Sequence, residues 1–259
     1  MPELSPQKFD TKNIQKAQIP LGLSASKSLF KQITTLLVDL IYPPRCAGCG
    51  HIDTFWCSNC QKEIDELPVV EHIEPKNPLQ GIAASAWHTG KLREAVQALK
   101  YENAREVAKP LGEKLSNCLR QQDWTIDLIV PVPLHTKRLT ERGYNQAQLL
   151  AEQVALTLDM RCEVNALQRI RETQSQVTIS GAERLINIKD AFVANSQLVN
   201  GQSILVIDDV YTTGSTMSAC GEALLSAGAS VVYGLTVTAA GHSVTHKKEI
   251  ADEYHHTRA

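Results

Sequence analysis

The sequence predicts an α/β fold with a largely parallel sheet, preceded by a small four-cysteine module, and three observations carry that expectation. From residue 79 onward, short aliphatic runs alternate with stretches of helical periodicity. Four of the seven cysteines fall within fifteen residues as two CxxC pairs. One aliphatic run, Ile204 to Ile207, ends in two adjacent acids and then a hydroxyl- and glycine-rich loop that opens a helix. The chain has 259 residues, 43% hydrophobic and 21% charged, enough to bury a core. A balance of 26 Lys and Arg against 28 Asp and Glu argues against a globally basic nucleic-acid binder.

In chain order, residues 1–27 are polar, hold Pro2, Pro6 and Pro20, and read as a disordered leader. They lack an apolar core of the secretory kind, so a cytoplasmic location is expected. Residues 28–66 combine an amphipathic helix with the cysteine module. Leu29, Phe30, Ile33, Leu36, Leu37, Leu40 and Ile41 recur at helical spacing until Pro43-Pro44. That stripe is expected to pack on its own chain, with a partner or membrane surface as the alternative. The proline- and acid-rich stretch 66–78 reads as a linker.

The larger domain spans 79–241. Strands are expected at 81–87, 127–133, near 190, at 203–209 and at 230–237. Helices are expected around 92–100, 107–119, from Tyr144, and at 215–227. The nineteen uncharged residues from Ala223 to Gly241 are broken by Gly228 and Gly234, so no membrane span is predicted. Residues 242–259 form a polar tail; its His242, His246, His255 and His256 read as a frayed terminus.

Cys46, Cys49, Cys57 and Cys60 suit a structural zinc ion, because four thiolates close a tetrahedral shell and leave no water to activate. Gly50 supplies backbone freedom beside the first pair. A redox dithiol or an iron–sulfur cluster are competing uses of the same spacing, and His51 is a substitute ligand. Cys118, Cys162 and Cys220 read as small hydrophobes. The module offers only Arg45 and Lys62 to nucleic acid, and Phe55 with Trp56 reads as its small core, so weak single-stranded DNA binding is the most it supports.

Asp208 and Asp209 stand at the end of an aliphatic strand, before Thr212, Thr213, Gly214, Ser215 and Thr216. Backbone amides, hydroxyls and a helix dipole suit a phosphate, and paired carboxylates suit vicinal hydroxyls, so together they describe a ribose phosphate pocket. The plain alternative is a helix cap with two turn acids. Neither GxxxxGK[ST] nor GxGxxG is present, which lowers the ATPase and dinucleotide readings.

This segment resembles the type I phosphoribosyltransferases. Val132-Pro133-Leu134-His135 with Arg138, then Arg142-Gly143-Tyr144-Asn145-Gln146-Ala147, together with the N-terminal four-cysteine module, resembles the ComF competence-protein family. Leu99-Lys100-Tyr101, Arg169 with Thr173 and Gln176, and Arg184 with Asn187 and Phe192 match it as well. The resemblance covers roughly residues 30–240.

It implies a type I phosphoribosyltransferase fold and a magnesium-dependent transfer from phosphoribosyl pyrophosphate (PRPP) to an unknown acceptor, linked to DNA uptake in natural transformation. Asp208 and Asp209 would hold the ribose hydroxyls, and Thr212 to Thr216 the 5-phosphate. Lys137, Arg138 and Arg142, with Gly143 allowing close backbone approach, would meet the pyrophosphate in a loop over 132–145. Asp208, Asp209, Arg138 and Arg142 would be the catalytic set. Arg169 to Asn187 would be a closing hood. Thr212 stands where purine-salvage relatives carry an acid, which disfavours an ordinary purine acceptor. The alternative is a non-catalytic accessory protein of competence that senses PRPP or binds single-stranded DNA or a competence-machinery protein.

Overall fold

The computed structural model describes residues 43–70, 72–171 and 190–241. The leader, the helix expected at 28–41, most of the hood with Thr173, Gln176, Arg184 and Asn187, and the tail lie outside the described residues. From Pro44 onward the chain is one compact unit. Among the described residues no helix is long and apolar enough to cross a membrane.

Four parallel strands form the central sheet: β1 (Gly81–Ala84), β2 (Leu128–Pro131), β5 (Ser203–Tyr211) and β6 (Val231–Ala239), in the order β1-β6-β5-β2. The aliphatic run of β5 does not alternate because both of its faces are buried, as expected of a central parallel strand. Leu205 and Ile207 face one core with α2 (Gly90–Tyr101), α3 (Ala108–Leu119) and α5 (Gln146–Leu158). Ile204 and Val206 face the other, with α7 (Ser215–Ser226). An antiparallel pair, β3 (Leu167–Arg169) and β4 (Phe192–Ala194), packs beside α7 and forms the described base of the expected hood. A short α6 (Ser196–Val199) leads from β4 into β5. All four sheet strands point the same way, so the ends of β2, β5 and β6 share one rim, where ligands sit in open α/β sheets.

Two segments depart from expectation. The stretch expected as a pyrophosphate loop contains a helix, α4 (Thr136–Arg142), with no buried residue. The stretch expected as a linker lies against the domain. The Val70 amide donates to the Ala84 carbonyl at 3.2 Å and, just past the stretch, the Gln80 amide to the Val232 carbonyl at 2.9 Å, which ties it to the sheet.

Candidate functional site

Asp209 is 3% exposed, and its Oδ1 lies 2.7 Å from Lys100 Nζ near the end of α2. Its Oδ2 is buried and, among the described residues, has no hydrogen-bond partner. Asp208 is half-buried and its Oδ1 accepts the Asp209 amide at 2.8 Å. Burial and the charge of Asp209 push the Asp208 carboxyl up to about 7, against the opposing pull of Lys100 and Arg169. Arg169, on β3, is lowered by burial and by the charge of Arg138, with Asp208 acting the other way. His88 Nδ1 lies 2.8 Å from the Thr238 hydroxyl, which donates to the Asp209 carbonyl at 3.5 Å. Burial lowers the His88 imidazole, and the charges of Lys100 and Arg93 add to that.

Beyond the acids, the chain turns through Thr212 and Thr213, both exposed, to Gly214 at φ 73° and then enters α7. A Cβ on Gly214 would lie 2.4 Å from the Tyr211 hydroxyl, so glycine is required for two reasons. No side chain caps α7, which leaves its first amides facing the turn, and the hydroxyls of Thr213 and Ser215 lie 2.9 Å apart beside them. The 66–78 stretch supports this cradle from beneath. Lys76 Nζ donates to the Thr213 carbonyl at 3.2 Å, the Tyr211 phenol to the Glu74 carbonyl at 3.5 Å, and the Ser218 hydroxyl to the Asn77 carbonyl. Tyr211 is therefore part of the packing under the loop.

Lys100, the partner of Asp209, lines a cleft of about 460 Å³ together with Tyr101, Arg138, Glu141, Arg142 and Tyr144 among others. Three cations against one acid make it a basic site. The sequence Arg142-Gly143-Tyr144-Asn145-Gln146 builds its wall. Gly143, at φ 78°, ends α4 and reverses the chain. The Tyr144 phenol donates to the Leu99 carbonyl, tying this corner to α2. Asn145 donates to the Val132 carbonyl at 3.0 Å and caps α5 by accepting the Ala147 amide at 3.1 Å. Arg142 donates to Gln146 Oε1 and lies 5.4 Å from the centre of the Tyr101 ring. Gly143 stops α4, and Lys137 is exposed on α4, outside the cleft lining. Lys100, quoted only for resemblance, is the residue missed; nothing in its local sequence reveals a partner on β5.

The four cysteine sulfurs all lie within 4.8 Å of one another. Cys46 and Cys60 are 3.7 Å apart, and Cys49 and Cys57 3.6 Å apart. Tetrahedral zinc with bonds of about 2.3 Å would space its sulfurs by about 3.8 Å, so the cluster is compatible with a structural zinc. Burial works to raise the Cys46 thiol, but amide hydrogen bonds from Cys57, Gly48 and Cys49 bring it down to about 6, favouring the thiolate a metal needs. Gly48 is needed because a Cβ there would lie 2.7 Å from the Cys60 sulfur. Gly50 has φ 75°, as its expected freedom requires. Cys57 caps α1 (Ser58–Asp65), whose Ile64 is fully buried in the domain core, and Trp56 also packs there. Phe55 is 41% exposed and does not form the small core expected of it.

A parallel sheet whose central strand carries paired acids to a rim between an open helix end and a basic cleft defines a protein of the phosphoribosyltransferase type. Residues 97–257 match the phosphoribosyl transferase domain family. The chain is 30% identical over 189 residues to competence protein F of Haemophilus influenzae, covering 68% of this chain and 76% of that protein. It is 29% identical over 194 residues to the DNA utilization protein YhgH of Escherichia coli K12, covering 72% and 85%. With competence protein ComFC of Bacillus subtilis it shares 37% identity over 101 residues, 39% of each chain. The chain belongs to the ComF family, with a phosphoribosyltransferase-type domain.

Proposed function

We propose that the protein binds PRPP with Mg²⁺ in the cytoplasm and transfers its phosphoribosyl group to an acceptor nucleophile, in the service of DNA uptake or use. The observation that carries this reading is that Asp209 pairs with Lys100, which lines the basic cleft, while both acids lead along the chain into the turn that opens α7. The acids accept the ribose hydroxyls, Thr212 to Thr216 hold the 5-phosphate, and Arg138 and Arg142 meet the diphosphate. In the transfer, the bond from C1 to the diphosphate oxygen breaks and its electron pair leaves with the diphosphate, while the acceptor donates a pair to C1. The arginines stabilise the departing charge, and the hood excludes water.

The oxygen-rich surroundings, with the buried Oδ2 of Asp209 lacking a hydrogen-bond partner among the described residues, suit a Mg²⁺ that keeps most of its contacts to substrate and water. Bound with the diphosphate, that ion would supply charge neutralisation. The four cysteines would hold one zinc per chain as a folding element, which metal analysis of the purified protein measures. The names of the relatives support the link to DNA.

Calorimetric titration of Mg²⁺–PRPP tests the pocket: saturable binding that the Asp208→Ala, Asp209→Ala variant loses is expected, and no binding by the folded wild type would overturn the reading. Pyrophosphate release in an acceptor screen then tests catalysis. A second reading, a non-catalytic accessory protein that senses PRPP or holds single-stranded DNA, is favoured by Tyr101. That ring is 76% exposed beside Arg138 and Arg142, a surface on which a base can stack. PRPP binding with no release against any acceptor would favour this alternative.

A further inference from the structure

Among the described residues, Lys100 is the cation that both forms an ion pair with the acids and lines the basic cleft. Its neighbours there are placed differently. Arg142 is held by Gln146 and lies over Tyr101. Arg138 projects from α4, a helix with no buried residue. The backbone at Lys100 is fixed, because Leu99 is fully buried and its carbonyl accepts the Tyr144 phenol. The ammonium itself sits on a four-carbon stem, which can swing without moving α2.

We propose that Lys100 is a shared cation: it neutralises Asp209 in the free protein and transfers to a diphosphate that enters the cleft, releasing Asp209 to accept a ribose hydroxyl. This rests on the PRPP reading above. A buried carboxylate left without a counter-charge is costly, so Lys100 leaves Asp209 readily only when a hydroxyl or a cation replaces it. Diphosphate and ribose therefore assist each other when they arrive on one molecule. Inorganic pyrophosphate alone must break the ion pair without compensation, and ribose 5-phosphate alone gives Lys100 nowhere to go. The device selects for the intact activated sugar over its two fragments.

The test measures binding of PRPP, ribose 5-phosphate and inorganic pyrophosphate to the full chain at fixed Mg²⁺. Lys100→Gln is expected to weaken PRPP and pyrophosphate by about ten- to hundred-fold, the size of one lost charged hydrogen bond, and ribose 5-phosphate by no more than about three-fold. Lys100→Arg restores most of the PRPP affinity. Asp209→Asn frees the lysine and is expected to bind inorganic pyrophosphate as tightly as the wild type or more tightly, while weakening ribose 5-phosphate. A merely structural ion pair would instead weaken all three ligands in both variants.

Should Lys100→Gln fail to fold with Asp209 unpaired, the double variant Lys100→Gln, Asp209→Asn buries no lone charge. Its pyrophosphate affinity against Asp209→Asn alone isolates the lysine, and equal affinities there would overturn the proposal. Failure of the wild type to bind PRPP sinks the parent reading instead. Wild-type binding with PRPP and ribose 5-phosphate weakened alike in Lys100→Gln sinks only the shared cation.

Discussion

The cradle before α7 comes from one unbroken stretch, Tyr211 to Ser218, whereas the basic cleft is assembled from the end of α2, the exposed α4 and the turn into α5. In the cradle, geometry is set by backbone: a left-handed glycine, a tyrosine filling the space beneath it, and uncapped helix amides. In the cleft it is set by long side chains whose positions depend on how distant helices pack. A backbone site is stiff and tolerates little change at its few fixed points. A side-chain site can lose one cation and keep the rest, and it can exchange partners.

That contrast can be broken most forcefully at the acids both halves share. Asp208→Ala, Asp209→Ala is expected to reduce PRPP affinity by about a hundred-fold or more, since several charged hydrogen bonds are lost together; titration calorimetry reads it.

Asp208 alone gives the next effect, and it depends on pH. Its folded carboxyl titrates at about 7, raised by burial and Asp209 against Lys100 and Arg169, whereas an unfolded aspartate titrates near 3.9. The folded chain thus keeps a proton that the unfolded chain gives up, and this group's contribution to stability falls as pH rises from about 4 to about 7. Asp208→Asn should be more stable than wild type by roughly 2–4 kcal/mol at pH 8, with the gain fading toward pH 4, as urea unfolding at both pH values measures.

Gly214→Ala probes the cradle. Strain at positive φ and the contact with Tyr211 should cost about 1–3 kcal/mol, weakening ribose 5-phosphate and PRPP alike by about ten-fold and leaving inorganic pyrophosphate unchanged. Arg138→Ala probes the cleft and should show the opposite pattern: PRPP and pyrophosphate fall by about five- to ten-fold, and ribose 5-phosphate is unaffected. Loss of all three ligands in either variant would erase the distinction between the halves. Smallest is Tyr211→Phe, which removes the phenol's hydrogen bonding to the backbone of Glu74 and Lys76; about 0.5–1 kcal/mol of stability and less than three-fold in affinity are expected.

The same contrast governs what could be read in advance. The unbroken aliphatic run of β5, its acids, the loop and α7 are adjacent in the chain, and their order alone indicates a strand, a turn and a helix. The paired CxxC spacing is similarly local. Lys100 is different: Leu99-Lys100-Tyr101 lies in an ordinary amphipathic helix, and only folding brings its ammonium to Asp209. The helix α4 escaped because hydrophobic periodicity reports burial, and Thr136 to Arg142 buries nothing. Gly143 has a positive φ, and a sequence cannot say whether such a position serves a ligand or ends a helix. In 66–78, proline and acid mark irregular backbone, and irregular backbone can still be packed.

That packed stretch bears on inheritance. Its carbonyls at Glu74 and Asn77 and the ammonium of Lys76 brace the turn before α7, and its beginning is bound to α3 through Lys114, which donates to the Leu67 carbonyl at 3.1 Å. A metal-binding knot joined by a slack tether can be shuffled between genes or trimmed away with little harm to its neighbour. Here a recombination crossover or a protease nick between the cysteines and residue 79 would take the support of that turn with it, so the two parts can be expected to travel through evolution as a single unit.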